Sequence, residues 1–271
     1  IIIMILNKNL ESALNRHKVV KIIIGLSNFN LSNIIFQAKA AEIGGATYID
    51  IASNINIINE LKQISTLPLC VSSIDPDELL ACFKAGVDIL EVGNFDIFYR
   101  KGIMLSANNV LEIAKDIMCQ APLACISVTI PHTLCLWDQI CLAKQLEFLG
   151  VDIIQTEGFN SKFKTDSYAV NSLRKSSSAL SATYVLLKNI KIPIISASGI
   201  NPLSAAIAIS YGASAIGIGS FLLEFNDLID RSIIIQSIVQ SMHQNLTMDI
   251  KTKNLNIYSV FDHSNISNMN T

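Results

Sequence analysis

One local pattern recurs four times along the chain: a helix-like segment stops at a glycine, and a buried-type run starts about three residues later. The copies read Gly45-Ala46-Thr47-Tyr48-Ile49-Asp50, Gly86-Val87-Asp88-Ile89-Leu90-Glu91, Gly150-Val151-Asp152-Ile153-Ile154-Gln155 and Gly212-Ala213-Ser214-Ala215-Ile216-Gly217. The glycine supplies a left-handed helix stop, and Asp or Ser opens the strand. One further apolar, β-branched run precedes each copy, over 19–26, 69–73, 123–130 and 192–199. Segments with helical spacing fall between the runs, at about 31–43, 55–65, 76–85, 108–119, 136–148, 178–189, 201–211 and 228–244, after a short leading helix at 8–16.

That makes eight strands, each followed by a helix, with no room for antiparallel hairpins. Continuous apolar runs are the mark of parallel strands buried on both faces. The order predicts a single (β/α)8 TIM barrel over 1–246 with a loosely attached polar tail over 247–271, which carries one apolar docking segment at 257–261. An open doubly wound sheet is the alternative, but its reversal of strand order gives no reason for a repeat in every second strand.

Composition supports a dry core, since 51% of residues are hydrophobic and only 15% charged. A net charge of −2 without a basic face argues against nucleic acid as a partner. The apolar runs fall far short of the roughly 20 residues of a spanning helix, so a soluble protein is expected, with no membrane partner. Six cysteines are scattered without a C-x-x-C pair, which signals neither a zinc site nor a disulfide framework and points to a reducing compartment. No stretch reads as a signal or transit peptide.

In this architecture the chemistry is expected where the strands end at their carboxyl termini. Two glycine-bearing turns lie there, Ser198-Gly199-Ile200 after strand seven and Gly217-Ile218-Gly219-Ser220 after strand eight. The amides of Gly199, Ile200, Gly219 and Ser220 are candidates to cradle a phosphate, with Asn201 and Pro202 opening the next helix beside them. The competing reading is that the glycines only relieve crowding. Asp50, Glu91 and Glu157 come late in strands two, four and six. They are candidate acid/base groups for proton transfer beside a carbonyl, or holders of a divalent ion, against the plain reading of carboxylates paired with loop groups. Asn94 and the serines Ser27, Ser53, Ser72 and Ser73 add to a polar mouth.

Lys21 and Lys191 sit at strand entrances and so are assigned to the opposite face, which disfavours a Schiff-base aldolase. His132, after strand five, is the histidine assigned to the functional end, whereas His17 and His243 fall on helices and His263 in the tail. Phe95, Phe98 and Tyr99 can roof the barrel or stack on a flat ligand. The segment 158–175, with Lys162, Lys164, Arg174 and Lys175, reads as a loop able to meet an anion.

The segments 193–201 and 212–220 resemble the phosphate-binding half of ribulose-phosphate-binding and flavin-linked barrels. Together with 44–53 and 126–132, nearly the whole chain apart from the tail resembles the hypothetical chloroplast reading-frame family twenty-three (ycf) of red-algal-type plastids and cyanobacteria. The resemblance implies a plastid-encoded stromal protein, and it carries over no reaction, cofactor or catalytic residue. The residues themselves favour binding of a phosphorylated small molecule, as a lyase, isomerase or epimerase with carboxylate acid/base chemistry. A non-catalytic regulatory barrel that holds a nucleotide or flavin is the second reading.

Overall fold

A computed structural model describes residues 8–25, 27–93, 95–99, 102–158 and 167–252. Asn94, Lys162, Lys164, the segment 257–261 and His263 lie outside the described residues. After a leading helix α1 (Lys8–Asn15), strands and helices alternate: β1 (Val19–Gly25), α2 (Leu31–Ile43), β2 (Tyr48–Ala52), α3 (Ile55–Ile64), β3 (Leu69–Ser73), α4 (Pro76–Lys84) and β4 (Ile89–Val92). A short helix α5 (Asp96–Tyr99) then precedes α6 (Ala107–Gln120), β5 (Cys125–Ile130), α7 (Leu136–Leu149), β6 (Ile153–Thr156) and α8 (Tyr168–Leu187). The chain continues through β7 (Ile194–Ala197), α9 (Pro202–Tyr211), β8 (Ala215–Ile218), a 3-10 turn over Ser220–Glu224, and α10 (Leu228–Thr252). The eight strands close in sequence order, and β8 pairs in parallel with β1.

The fourfold pattern has a physical cause in this ring. Gly45, Gly86, Gly150 and Gly212 all take positive φ, where a side chain would be strained, and turn the chain from helix into strand. The polar residue two places later then ties the new strand to the one before it. Thr47 accepts the Val20 amide through its hydroxyl at 3.0 Å, Asp88 accepts the Leu69 amide at 2.8 Å and Asp152 accepts the Ile126 amide at 2.7 Å. In each case its own amide donates back to the same residue's carbonyl, so the register of three strand pairs is set at the strand entrance.

Two boundaries differ from the expected ones. Helix α8 begins at Tyr168, about ten residues early, so Arg174 and Lys175 belong to a helix and not to a loop. Helix α10 runs on to Thr252, past the helix end expected at about 244.

Alternate residues of each strand divide the core. Outward side chains such as Val20, Ile22, Ile49, Val71, Leu90, Val128 and Ile154 pack under the helices. Inside the ring, Val19, Tyr48, Cys70, Ile89, Cys125, Ile153, Ile195 and Ala215 form an apolar floor, and Leu10 and Leu14 of α1 pack against it from the amino-terminal end. The barrel is closed below, so access is left at the carboxyl ends of the strands.

Candidate functional site

Above the apolar floor the inward positions turn polar. Lys21 of β1, Asp50 of β2, Ser72 of β3, Glu91 of β4, Ser127 of β5 and Gln155 of β6 are all buried. The Lys21 ammonium stands 2.7 Å from Asp50 Oδ2 and 2.8 Å from Glu91 Oε2, and donates to Gln155 Oε1 at 2.9 Å. Ser72 donates to Asp50 at 2.8 Å, Ser127 donates to Glu91 Oε2 at 2.9 Å, and the Gln155 amide donates to Glu91 Oε1 at 2.7 Å. One cation between two carboxylates is affordable inside a barrel because the surrounding hydroxyls and the amide occupy the remaining lone pairs.

This corrects the assignment of Lys21 to the opposite face. Residue 21 is near the strand entrance, but its position points inward and its long side chain ends among Asp50 and Glu91. The sign was present in the run Val-Val-Lys-Ile-Ile-Ile: a lysine sharing one face with Val19 and Ile23 must be neutralised within the barrel. A Schiff base is still disfavoured, now because two carboxylates keep this amine protonated. Burial alone would lower its pKa, and the charges of Asp50 and Glu91 outweigh that and raise it well above the ordinary lysine value.

Asp50 shows the opposite imbalance. Burial, with repulsion from Glu91, exceeds the pull of Lys21 and the Ser72 hydrogen bond and lifts its carboxyl to about 6. The folded protein therefore binds a proton between pH 4 and 6 that the unfolded chain does not hold. Stability from this group must rise as pH falls through about 6. Urea unfolding at pH 7.5 and pH 5 is expected to show the wild type gaining about 1–1.5 kcal/mol relative to Asp50→Asn over that interval. Parallel pH profiles for the two proteins would rule out this titration.

Nearer the opening lies a second group. Glu157, just past β6, accepts the Tyr99 hydroxyl at 2.9 Å, and its same oxygen stands 2.8 Å from His132 Nδ1 and accepts the His132 amide at 3.2 Å. The side chains of His132 and Glu157 are 15% and 13% exposed, so this pair touches solvent where Glu91, at 1%, does not. Tyr99 meets the His132 ring edge-on at 4.9 Å between centroids. Of the three sequence-derived carboxylates, Asp50 and Glu91 share the buried layer with Lys21, and Glu157 stands apart with His132 and Tyr99. Tyr99 was read as roof or stacking surface, and nothing in its spacing shows that its hydroxyl reaches Glu157.

The two glycine turns lie at the mouth on neighbouring strands. Ser198 and Gly199 take φ values of +80° and +69°. Ser198 is held there by donating its hydroxyl to the Gly158 carbonyl at 2.8 Å. A Cβ on Gly199 would fall 2.2 Å from the Lys175 carbonyl oxygen, so helix α8 passes directly against this turn. At Gly217 a Cβ would meet Ala197 at 2.9 Å and Ile23 at 3.3 Å, and at Gly219 the Ile23 carbonyl at 3.1 Å. Crowding thus accounts for the glycine at all three positions, most severely at Gly199, and Gly199, Gly219 and Ser220 are partly or fully exposed at the opening. Ile200 and Asn201 are buried, and the Asn201 side chain caps α9 by accepting the Leu203 and Ser204 amides.

Residues 5–248 match a family described as "Protein of unknown function (DUF561)". The chain is 42% identical over 242 residues to "Uncharacterized protein ycf23" of Pyropia yezoensis, covering 89% of each chain. It is 41% identical to the protein of the same name from Antithamnion sp., covering 92% of this chain and 93% of the relative. Among solved structures, a 3-hexulose-6-phosphate synthase superposes with TM-score 0.58 at 14% identity, over 82% of this chain and 99% of that one. The thiamine phosphate pyrophosphorylase of Pyrococcus furiosus gives 0.56 at 17%, over 86% and 99%. At these identities the structural likeness speaks for the barrel alone.

Proposed function

Since the chain belongs to the DUF561 family, with residues 5–248 matched, and is built as a closed parallel barrel, we propose that it binds a phosphorylated small molecule at the carboxyl-terminal mouth. The phosphate sits on the amides of Gly199, Ile200, Gly219 and Ser220, and Glu157 with His132 moves a proton beside a carbonyl, as in a lyase, isomerase or epimerase. The observation that carries this reading is the partly exposed Glu157–His132–Tyr99 group, on the loops after β5 and β6 and on α5, with Gly158 beside Glu157 hydrogen-bonded to Ser198 of the β7 turn.

A carboxylate paired with an imidazole is a competent acid/base unit when both groups can reach a ligand. Ser198, one of two non-glycine residues with positive φ among the described residues, adds support, because such strain of about 1–3 kcal/mol clusters where ligands are clamped. Two barrels with the same fold, a 3-hexulose-6-phosphate synthase and a thiamine phosphate pyrophosphorylase, are consistent with a phosphorylated ligand. In this scheme Asp50 and Glu91 act from below, as a fixed charged layer, and not by contact with the ligand. The proposed location is the plastid stroma, as the ycf23 relatives suggest, and no helix among the described residues is long and apolar enough to cross a membrane.

Crystals soaked in inorganic phosphate are expected to show the anion on the four amides of the β7 and β8 turns. Turns left bare at saturating phosphate would end this reading. The burial of Asp50 and Glu91 favours the second reading, a non-catalytic barrel holding a flavin or nucleotide, because it removes two of three carboxylates from contact with a ligand. A yellow protein with the absorbance of a flavin would establish that alternative.

A further inference from the structure

Across the mouth from the β7 and β8 turns lies a recess of about 630 Å³, over the ends of β1 to β3. Its wall includes Ser53, Ser72, Ser73 and Glu78, and Phe29 and Phe98 stand at its lip. The volume suits a small molecule, and the direction of the serine hydrogens decides which kind. Ser53 Oγ is 2.6 Å and Ser73 Oγ 2.7 Å from the same Glu78 oxygen, and Ser72 Oγ is 2.8 and 3.0 Å from the two oxygens of Asp50. An ionised carboxylate has no hydrogen to give, so all three serines donate into the protein. Ser73 spends one lone pair on the Asp75 amide at 3.1 Å; Ser72 is buried against Asp50 and Glu91, so the lone pairs of Ser53 and the second one of Ser73 are those left for a ligand.

The wall is therefore rich in acceptors. Among the described residues no lysine, arginine or histidine lines it, and Glu78 and Asp75 add negative charge. Such a surface attracts hydroxyl hydrogens and repels phosphate or carboxylate. The rings of Phe29, 59% exposed, and Phe98 offer apolar faces to the carbon skeleton between the hydroxyls.

We propose that this recess is the subsite for an uncharged, hydroxyl-rich end of the ligand, which makes the substrate class phosphate esters of polyhydroxylated carbon chains. The phosphate half of that statement rests on the function proposed above, whereas the preference of the recess for hydroxyl donors stands without it. A ligand so held places its phosphate at β7 and β8 and its hydroxyls at β1 to β3. Its middle carbons then lie across the mouth, towards Glu157.

The test is amide NMR of the full chain, titrated separately with D-ribose and with inorganic phosphate. D-ribose is expected to shift the amides of Ser53, Ser73 and Glu78, and phosphate is expected to leave them in place. Filling the recess with Ser53→Leu should weaken the ribose response about tenfold or more, the loss of at least one or two neutral hydrogen bonds. Glu78→Lys should reverse the preference, so that phosphate now shifts the recess amides. The proposal is overturned if ribose at decimolar concentration moves none of these amides, if phosphate moves them in the wild type, or if ethanolamine moves them and ribose does not. Phosphate shifts at Gly199, Ile200, Gly219 and Ser220 report only on the phosphate site, so the two readings fail separately.

Discussion

Lys21→Met is expected to destabilise the barrel by about 3–5 kcal/mol, the usual cost of removing one partner from a buried ion pair. Methionine matches the volume of the lysine stem, so the loss comes from charge: Asp50 and Glu91 would be left facing each other in a dry interior. The triple variant Lys21→Met, Asp50→Asn, Glu91→Gln is expected to recover more than half of that loss, because it removes the stranded charges along with the cation. Urea unfolding of the two variants at pH 7.5 measures both effects. A single-variant cost below about 1 kcal/mol would mean that the ion cluster does not hold the barrel together.

Glu157→Gln is expected to lower kcat about 10²- to 10⁴-fold on a sugar phosphate that the protein turns over, with KM changed only a few-fold. The amide keeps the shape and still accepts the Tyr99 hydroxyl, but it cannot take up a proton. Because Glu157 is 13% exposed and one of its oxygens holds three contacts, the same variant should also lose about 0.5–1.5 kcal/mol of stability. Glu91→Gln should behave the other way round, with a stability change first, since both its oxygens are bound inside the barrel. Unchanged turnover in Glu157→Gln would remove the proposed acid/base role.

Much of the architecture was legible because it depends on local rules. The four glycine entries are readable as helix stops, and their positive φ values follow from the need to reverse the chain within three residues. The register ties of Asp88 and Asp152 are equally local, since a strand's first polar residue meets its neighbour's first amide. The start of α8 was not legible, because the polar residues of 168–177 read as loop until packing against β7 and α9 supplies the reason for a helix.

The candidate site was legible in type more than in arrangement. Strand-end position selected Asp50, Glu91, Glu157 and His132, yet position along the chain carries no information on which of them meet. Lys21 was placed at the wrong end, because counting residues from a strand entrance ignores the reach of a four-carbon side chain lying inside a ring. The Tyr99–Glu157 contact spans 58 residues and depends on how α5 folds over the mouth.

By itself the sequence determined the element order and the parallel barrel, because periodicity and turn residues act over a few residues at a time. Only the closed ring decided that Asp50 and Glu91 are neutralised in the interior while Glu157 keeps a partial opening to solvent. It alone also decided which carboxylates the serine hydroxyls meet. Those outcomes depend on distances between strands far apart in the chain, and burial and charge balance become definite only once the strands have closed around them.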